Sequence, residues 1–285
     1  VLDGSDGTLG QLCFSNVIAN TITNDMTMDM FYSNSMGNLH QYTVAPDATK
    51  NNNNILSSLH SKSYIESHYG VVTAIQLHPY HYNSVSTLTG SASGGSTVSG
   101  GKKYTNLANL MLTASFDWHV KLWDISCFKQ ASNASTTTAS STVSTKNSSQ
   151  FHKLQCTPLV EFVIPTYDYI CDIQWSPVHC SVFAVITSNN TLYLYNILVS
   201  TSAPVEVIEV NESTATTTTT NANANPNPAV LPALTKLLWN TNGKILYIGD
   251  SSGHIYSLHF KDNIVLPNSP MDEQKLDLFI QHKKM

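Results

Sequence analysis

The sequence predicts an all-β chain of repeated strand units, a β-propeller, and three observations lead there. Residues 111–126, M-L-T-A-S-F-D-W-H-V-K-L-W-D-I-S, hold a short apolar run, an Asp-containing turn and an alternating run through Val120 and Leu122. Alternation at period two gives each segment one core-facing side, so two strands joined by a tight turn are expected. The second run ends in Trp123-Asp124, the dipeptide that marks a propeller blade. The same turn-then-strand order recurs as Asp6-Gly7-Thr8-Leu9, Asp117-Trp118-His119-Val120, Asn189-Asn190-Thr191-Leu192 and Ser252-Gly253-His254-Ile255.

The best-formed unit resembles a WD repeat, where His, Ser or Thr, Asp and Trp join in a hydrogen-bonded tetrad. The resemblance puts those roles on His68, Thr113, Asp117 and Trp123, with Thr113 four residues before the Asp and Trp123 six after it. The chemistry is consistent, because an indole N–H only donates and a carboxylate only accepts. A buried chain of bonds between them leaves no polar group unpaired, and the charged Asp strengthens the bonds it accepts.

Taken in order, residues 1–66 read as a partial blade, the second half of a unit whose first half precedes Val1, interrupted by a Met/Asn-rich insertion. The chain is therefore expected to begin inside the domain. Weak strand signals at Met30-Phe31-Tyr32 and residues 40–44 lie in that insertion, and Tyr64-Ile65-Glu66 closes the blade. Residues 46–54 are expected to be disordered. Residues 67–165 form the blade with the full tetrad, carrying a Gly/Ser tract at 84–106 and a Ser/Thr tract at 129–150. Residues 166–210 form a degenerate blade with Tyr195-Asn196 in place of Trp-Asp. A Thr/Asn/Pro linker at 211–229 reads as unable to pack. A final degenerate blade spans 230–262, and residues 263–285 are a C-terminal tail or a short helix. This count gives an expectation of about three and a half blades of a seven-bladed ring. An open propeller leaves strand edges unprotected, so the piece is expected to be poorly stable alone.

Composition removes several function classes. Charged residues make up 12% of the 285, the net charge is −5 and no Arg occurs, so a phosphate-gripping surface and a nucleic-acid partner are not expected. No apolar run reaches the length of a membrane span, and the start shows no signal-peptide pattern. Cys13, Cys127, Cys156, Cys171 and Cys180 form no C-x-x-C pair, a scattered set that fits a reducing compartment. Gly101-Lys102 is followed by Lys103 and not by Ser or Thr, which breaks the phosphate-loop pattern. His78-Pro79-Tyr80-His81 lacks further ligands at metal-site spacing and reads as loop histidines. Ser115, Asp117 and His119 lie close together, yet strand and tetrad positions explain them and no G-x-S-x-G elbow exists. No cofactor, metal or catalytic residue is expected.

The order and wording of the blades resemble the cytoplasmic dynein intermediate chains. The carrying residues are Ser115-Phe116-Asp117-Trp118 with Val120-Lys121-Leu122-Trp123, and Tyr167-Asp168-Tyr169 with Trp175-Ser176-Pro177. Gly243, Gly249-Asp250-Ser251 and Gly253 with Ile255 match the final blade. Glu66, His68, Gly70, Val72 and Thr73 fit the family's blade entry, from which Ser67 and Val71 depart. The resemblance implies a non-catalytic WD-repeat scaffold of a cytoplasmic, microtubule-associated motor, its propeller attached to the dynein heavy chain. Dynein light chains and dynactin bind the family's N-terminal region, which nothing here matches. An axonemal or intraflagellar dynein, or an unrelated multiprotein complex, is the alternative setting.

Tyr69, Phe116, Trp118, Tyr167 and Tyr169 fall in turns that cluster on one face of a propeller, where aromatic anchors carry interface energy. They are the candidate partner-binding residues. The competing reading buries Phe116 and Trp118 between neighbouring blades.

Overall fold

The computed structural model describes residues 9–14, 18–19, 26–45, 58–80, 106–128, 152–210, 216–217 and 232–285. The tracts expected at 46–54, 84–105, 129–150 and most of 211–229 lie outside them, as does the Asp6-Gly7 turn.

The first sheet holds β1 (Leu9–Phe14), β2 (Ile18–Ala19), β3 (Met26–Asn34), β4 (Asn38–Ala45) and β5 (Ser58–Glu66), with β1, β3, β4 and β5 in spatial sequence and β2 on β3. The second begins with β6 (Val72–Leu77), β7 (Leu110–Ser115) and β8 (His119–Asp124). A short strand, β9 (His152–Lys153), then returns to pair in parallel with β5 before β10 (Val160–Val163) completes the second sheet on the far side of β8. The third runs β11 (Ile170–Trp175), β12 (Val182–Thr187), β13 (Thr191–Asn196) and β14 (Glu206–Glu209). The fourth comprises β15 (Thr216–Thr217), β16 (Leu234–Trp239), β17 (Ile245–Asp250) and β18 (Ile255–His259). Two helices follow, α1 (Asp262–Val265) and α2 (Asp272–Lys283).

Each sheet is a propeller blade. The strands β1, β6, β11 and β16 are the edge strands of their sheets, and each contacts the next in that order, which sets them around a common axis. Successive blades bury apolar faces against each other. Phe31, Leu39 and Ile65 of blade 1 meet Ile75, Met111 and Trp123 of blade 2. Leu122 and Phe162 of blade 2 meet Phe183 and Tyr195 of blade 3. Ala184 and Leu194 of blade 3 meet Leu237, Leu246 and Leu258 of blade 4. Blade 3, flanked on both sides, has every residue of β12 and β13 buried, as a sheet covered on both faces requires. Blade 4 alternates instead: Leu237 and Trp239 face the core while Leu238, Tyr247 and Ile255 are exposed. The described sheets therefore form a partial WD-repeat propeller that does not close.

Two parts of the sequence reading change here. First, β1 is the inner strand of a blade completed by β3, β4 and β5, so residues 9–66 supply a whole blade and not the trailing half of an earlier one. The turn equivalent to Asp117-Trp118 is the β3–β4 turn at Gly37. Second, the 211–229 tract contributes β15, whose Thr216 and Thr217 pair with Ser257 and Tyr256 as the outer strand of blade 4.

The C-terminal segment takes the helical alternative. Leu276 and Ile280 of α2, four positions apart and so on one helix face, are fully buried in the core shared by blades 2 and 3. Asn106 Nδ2 donates to Asp277 at 3.0 Å, and Lys284 Nζ lies 2.7 Å from Asp124. Among the described residues no helix is long and apolar enough to cross a membrane.

Candidate interaction face

The turns between the second and third strands of all four blades share one backbone device. Gly37, Trp118, Asn190 and Gly253 each adopt a left-handed φ, at 82°, 68°, 54° and 87°. Each is followed by a polar and then an aliphatic residue: Asn38-Leu39, His119-Val120, Thr191-Leu192, His254-Ile255. Gly and Asn enter this region at little cost, whereas a bulky residue does not. Trp118 is thus the outlier of the repeat.

Gly37 joins blade 1 to the entry of blade 2. Its carbonyl accepts from Ser67 N, His68 N and Ser67 Oγ at 3.1, 3.0 and 2.7 Å. A Cβ there would stand 2.2 Å from the His68 carbonyl oxygen. This contact helps fix the loop from which His68 points inward.

His68, Thr113, Asp117 and Trp123 form a continuous relay. Trp123 Nε1 donates to Thr113 Oγ1 at 2.8 Å, and Thr113 Oγ1 lies 2.8 Å from His68 Nε2. His68 Nδ1 lies 3.0 Å from Asp117 Oδ2. One proton arrangement satisfies every member: indole N–H to hydroxyl oxygen, hydroxyl O–H to Nε2, and Nδ1–H to carboxylate. Asp117 also accepts from the amides of Tyr69 and His119, at 3.0 and 3.2 Å. Burial lowers the His68 pKa, with the Asp117 bond and charge only partly opposing it, so the ring is held neutral. Burial alone would raise the Asp117 carboxyl, but the hydrogen bonds from His68 and the two amides, with the His68 charge once that ring is protonated in acid, outweigh it and hold it at about 2. The Nε2 of His68 is occupied by a buried hydroxyl, which leaves that nitrogen no access to a substrate proton. Ser115 Oγ is likewise buried and accepts from Asp117 N at 3.2 Å. The arrangement fixes two loops.

Those two loops carry Tyr69, Phe116 and Trp118, the entry to blade 3 carries Tyr167 and Tyr169, and all five are exposed. Tyr69 is 97% exposed, Tyr167 64% and Trp118 38%. Phe116 meets Tyr169 with ring centroids 5.2 Å apart, and Trp118 meets Tyr167 edge to face at 5.8 Å. Each pair takes one ring from the β7–β8 turn of blade 2 and one from the entry to blade 3. Lys121 Nζ lies 5.9 Å from the centre of the Tyr69 ring. The exposed Met36 lies near Tyr69, both lining one shallow cleft with Lys121. The sequence reading missed Met36; the signal was Gly37, a turn glycine followed by the polar–aliphatic pair.

The degenerate blades replace the tetrad in different ways. Tyr195-Asn196 occupies the place of Trp123-Asp124, and the last residue keeps its turn role. Asp124 Oδ1 accepts from Ser126 N, and Asn196 Oδ1 accepts from Leu198 N, both at 3.0 Å. In blade 4, Asp250 accepts from the Ser252 and His254 amides and from the Tyr256 hydroxyl at 2.8, 2.9 and 3.0 Å. Of the histidines set aside as a metal pair, His78 Nε2–H donates to the Cys180 carbonyl at 2.7 Å, linking blades 2 and 3. His81 lies outside the described residues.

Comparison with known proteins puts this face in context. Over 203 residues, 71% of the chain, it is 26% identical to the cytoplasmic dynein 1 intermediate chain of Drosophila melanogaster. The chain is similar to a dynein intermediate chain. It spans about a fifth (20%) of the length of that relative. No family model matches the sequence. Among solved structures, the C-terminal WD40 domain of Sif2 overlays with a TM-score of 0.44 at 12% identity, covering 90% of this chain and 47% of that one.

Proposed function

We propose that this chain is a non-catalytic WD-repeat scaffold element of a cytoplasmic dynein motor complex, its propeller attaching to the dynein heavy chain. The similarity to the Drosophila intermediate chain over 203 residues carries the reading. Its support in the chain is the string from Ser115 to Trp123, which supplies two of the tetrad residues, Asp117 and Trp123, together with the exposed aromatic turn. A scaffold needs a rigid face that presents side chains, and the relay around His68 fixes the two loops that bear Tyr69, Phe116 and Trp118. Dynein light chains and dynactin, in this reading, engage parts of the assembly outside the propeller. Its place in the cell is the microtubule-associated dynein complex of the cytoplasm.

The test is affinity capture of the tagged protein from its own cells, with quantitative mass spectrometry. Dynein heavy chain recovered in stoichiometric amount is the expected result. A different stoichiometric partner, with no dynein subunit, would overturn the motor assignment while leaving the propeller intact.

A further inference from the structure

Asp168 stands between Tyr167 and Tyr169 at the entry to blade 3, beside the ring pairs that bridge blades 2 and 3. A buried phenol anchors its carboxylate. The Thr166 hydroxyl donates to Asp168 Oδ2 at 2.5 Å, and Thr166 Oγ1 lies 2.9 Å from the hydroxyl of Tyr193, which is 1% exposed. With its own proton directed at Asp168, Thr166 accepts from the phenol. The Asp117 carboxylate of the neighbouring turn is occupied by His68 and two amides. Asp168 is only half-buried and, among the described residues, forms no ion pair. The lysine of this face is already engaged, since Lys121 Nζ lies 3.4 Å from Glu161 and 5.9 Å from the centre of the Tyr69 ring. Phe116, Trp118, Tyr167 and Tyr169 thus surround an oriented, uncompensated negative charge, in a chain of net charge −5 that contains no Arg.

We propose that this patch receives an arginine side chain of a partner protein, its guanidinium laid against the rings and paired with Asp168. The inference rests on the reading of the chain as a binding scaffold, and it names the chemistry of the segment that the aromatic face takes. A ring face carries negative charge, so a cation over it is attracted, more strongly once the partner excludes water. Guanidinium suits the patch better than ammonium. It is planar, stacks on aromatic faces, is more weakly hydrated and offers a fork of donors to a carboxylate. A wholly apolar segment would cover the Asp168 charge without pairing it, which is costly. A phosphate backbone would be repelled by the same charge. The left-handed backbones of Trp118 and Tyr167, at φ 68° and 56°, hold the edge-to-face pair in turns at the surface, where an incoming side chain meets it.

The test titrates the whole folded chain, isotopically labelled on nitrogen, with a blocked pentapeptide of alternating glycine and arginine. Nuclear magnetic resonance follows the indole N–H signals, and the signal missing from Trp118→Gly identifies Trp118. A saturable shift of that signal is expected, with a dissociation constant on the order of 1 mM, while the signals of the buried Trp123, Trp175 and Trp239 stay in place. Asp168→Asn should weaken binding about fivefold, as loss of an exposed charge pair does. Glu206→Gln removes the same charge from the exposed β14 and should change nothing. Tyr169→Ser, which leaves the Tyr193–Thr166–Asp168 relay in place, should weaken binding as well. The lysine peptide of equal charge should bind less tightly. No saturable shift, equal binding of the lysine peptide, or equal effects of Asp168→Asn and Glu206→Gln would overturn the proposal. Circular dichroism confirms that the variants compared are folded. Arginine binding without capture of dynein heavy chain would sink the motor assignment and leave this site standing; capture without arginine binding would overturn this site alone.

Discussion

Trp118 and Tyr167 meet edge to face at 5.8 Å, and each holds a left-handed backbone, φ 68° and 56°. Such a conformation costs a non-glycine residue on the order of 1 kcal/mol. The other three blades put Gly or Asn at the position of Trp118, so the turn itself does not demand an indole. Two strained aromatics from neighbouring blades, kept at the surface, fit a face that presents rings to a partner.

That separates two substitutions usually confounded. Trp118→Gly removes the ring and relieves the backbone, so the loss of about 0.5–1.5 kcal/mol of ring pairing is offset by relief of strain. The urea midpoint is expected to change little, while capture of the partner falls. Trp118→Ala should lose capture equally and be slightly less stable. A large loss of stability in both would make Trp118 a core residue of the blade joint.

The relay predicts a rescue pattern. Thr113→Val leaves the Trp123 N–H and His68 Nε2 unpaired in a buried site, each costing about 1–3 kcal/mol. Thr113→Ser keeps the hydroxyl and should recover most of that stability. Denaturant unfolding of the two variants beside the parent checks it.

Acid should weaken the fold in two windows. The His68 pKa is lowered from 6.5, so its contribution is whole above that value and is lost as pH falls toward the folded-state pKa. Asp117 falls from 3.8 to about 2, so its contribution of about 2 kcal/mol is present above pH 3.8 and is lost as pH falls through the lower value. Stability measured from pH 7.5 to 3 should decline in both windows. His68→Asn should flatten the upper one, though only partly, because burial shifts His179 the same way.

Gly37→Ala should be severe. The added Cβ would meet the His68 carbonyl at 2.2 Å, and the φ of +82° disfavours any side chain. A loss of more than about 2 kcal/mol is expected, with capture lost in proportion to the folded fraction. An unchanged midpoint would mean that the loop at His68 yields freely.

What was legible in the sequence followed the strength of its alternation. The strands β7, β8 and β11–β13 combine Val, Ile, Leu and aromatic runs with short turns, and their positions could be read directly. Blade 1 was obscured because Met26–Asn34 carries its strand on Met and Thr amid Asn and Asp, which reads as insertion. The strand at Thr216–Thr217 forms only because β18 offers an edge, information that no local window contains. The five aromatics were identifiable as turn residues, but the pairing of Phe116 with Tyr169 and Trp118 with Tyr167 depends on how adjacent blades dock. The return of β9 to blade 1 is a parallel pairing with no sequence signature.

The most direct test of the scaffold account is binding between the purified protein and a recombinant tail segment of the dynein heavy chain, followed by mass photometry. The account predicts a defined complex with the parent and a much weaker one with Trp118→Gly at equal folded stability. No complex with the parent, under conditions where it remains folded, would contradict it.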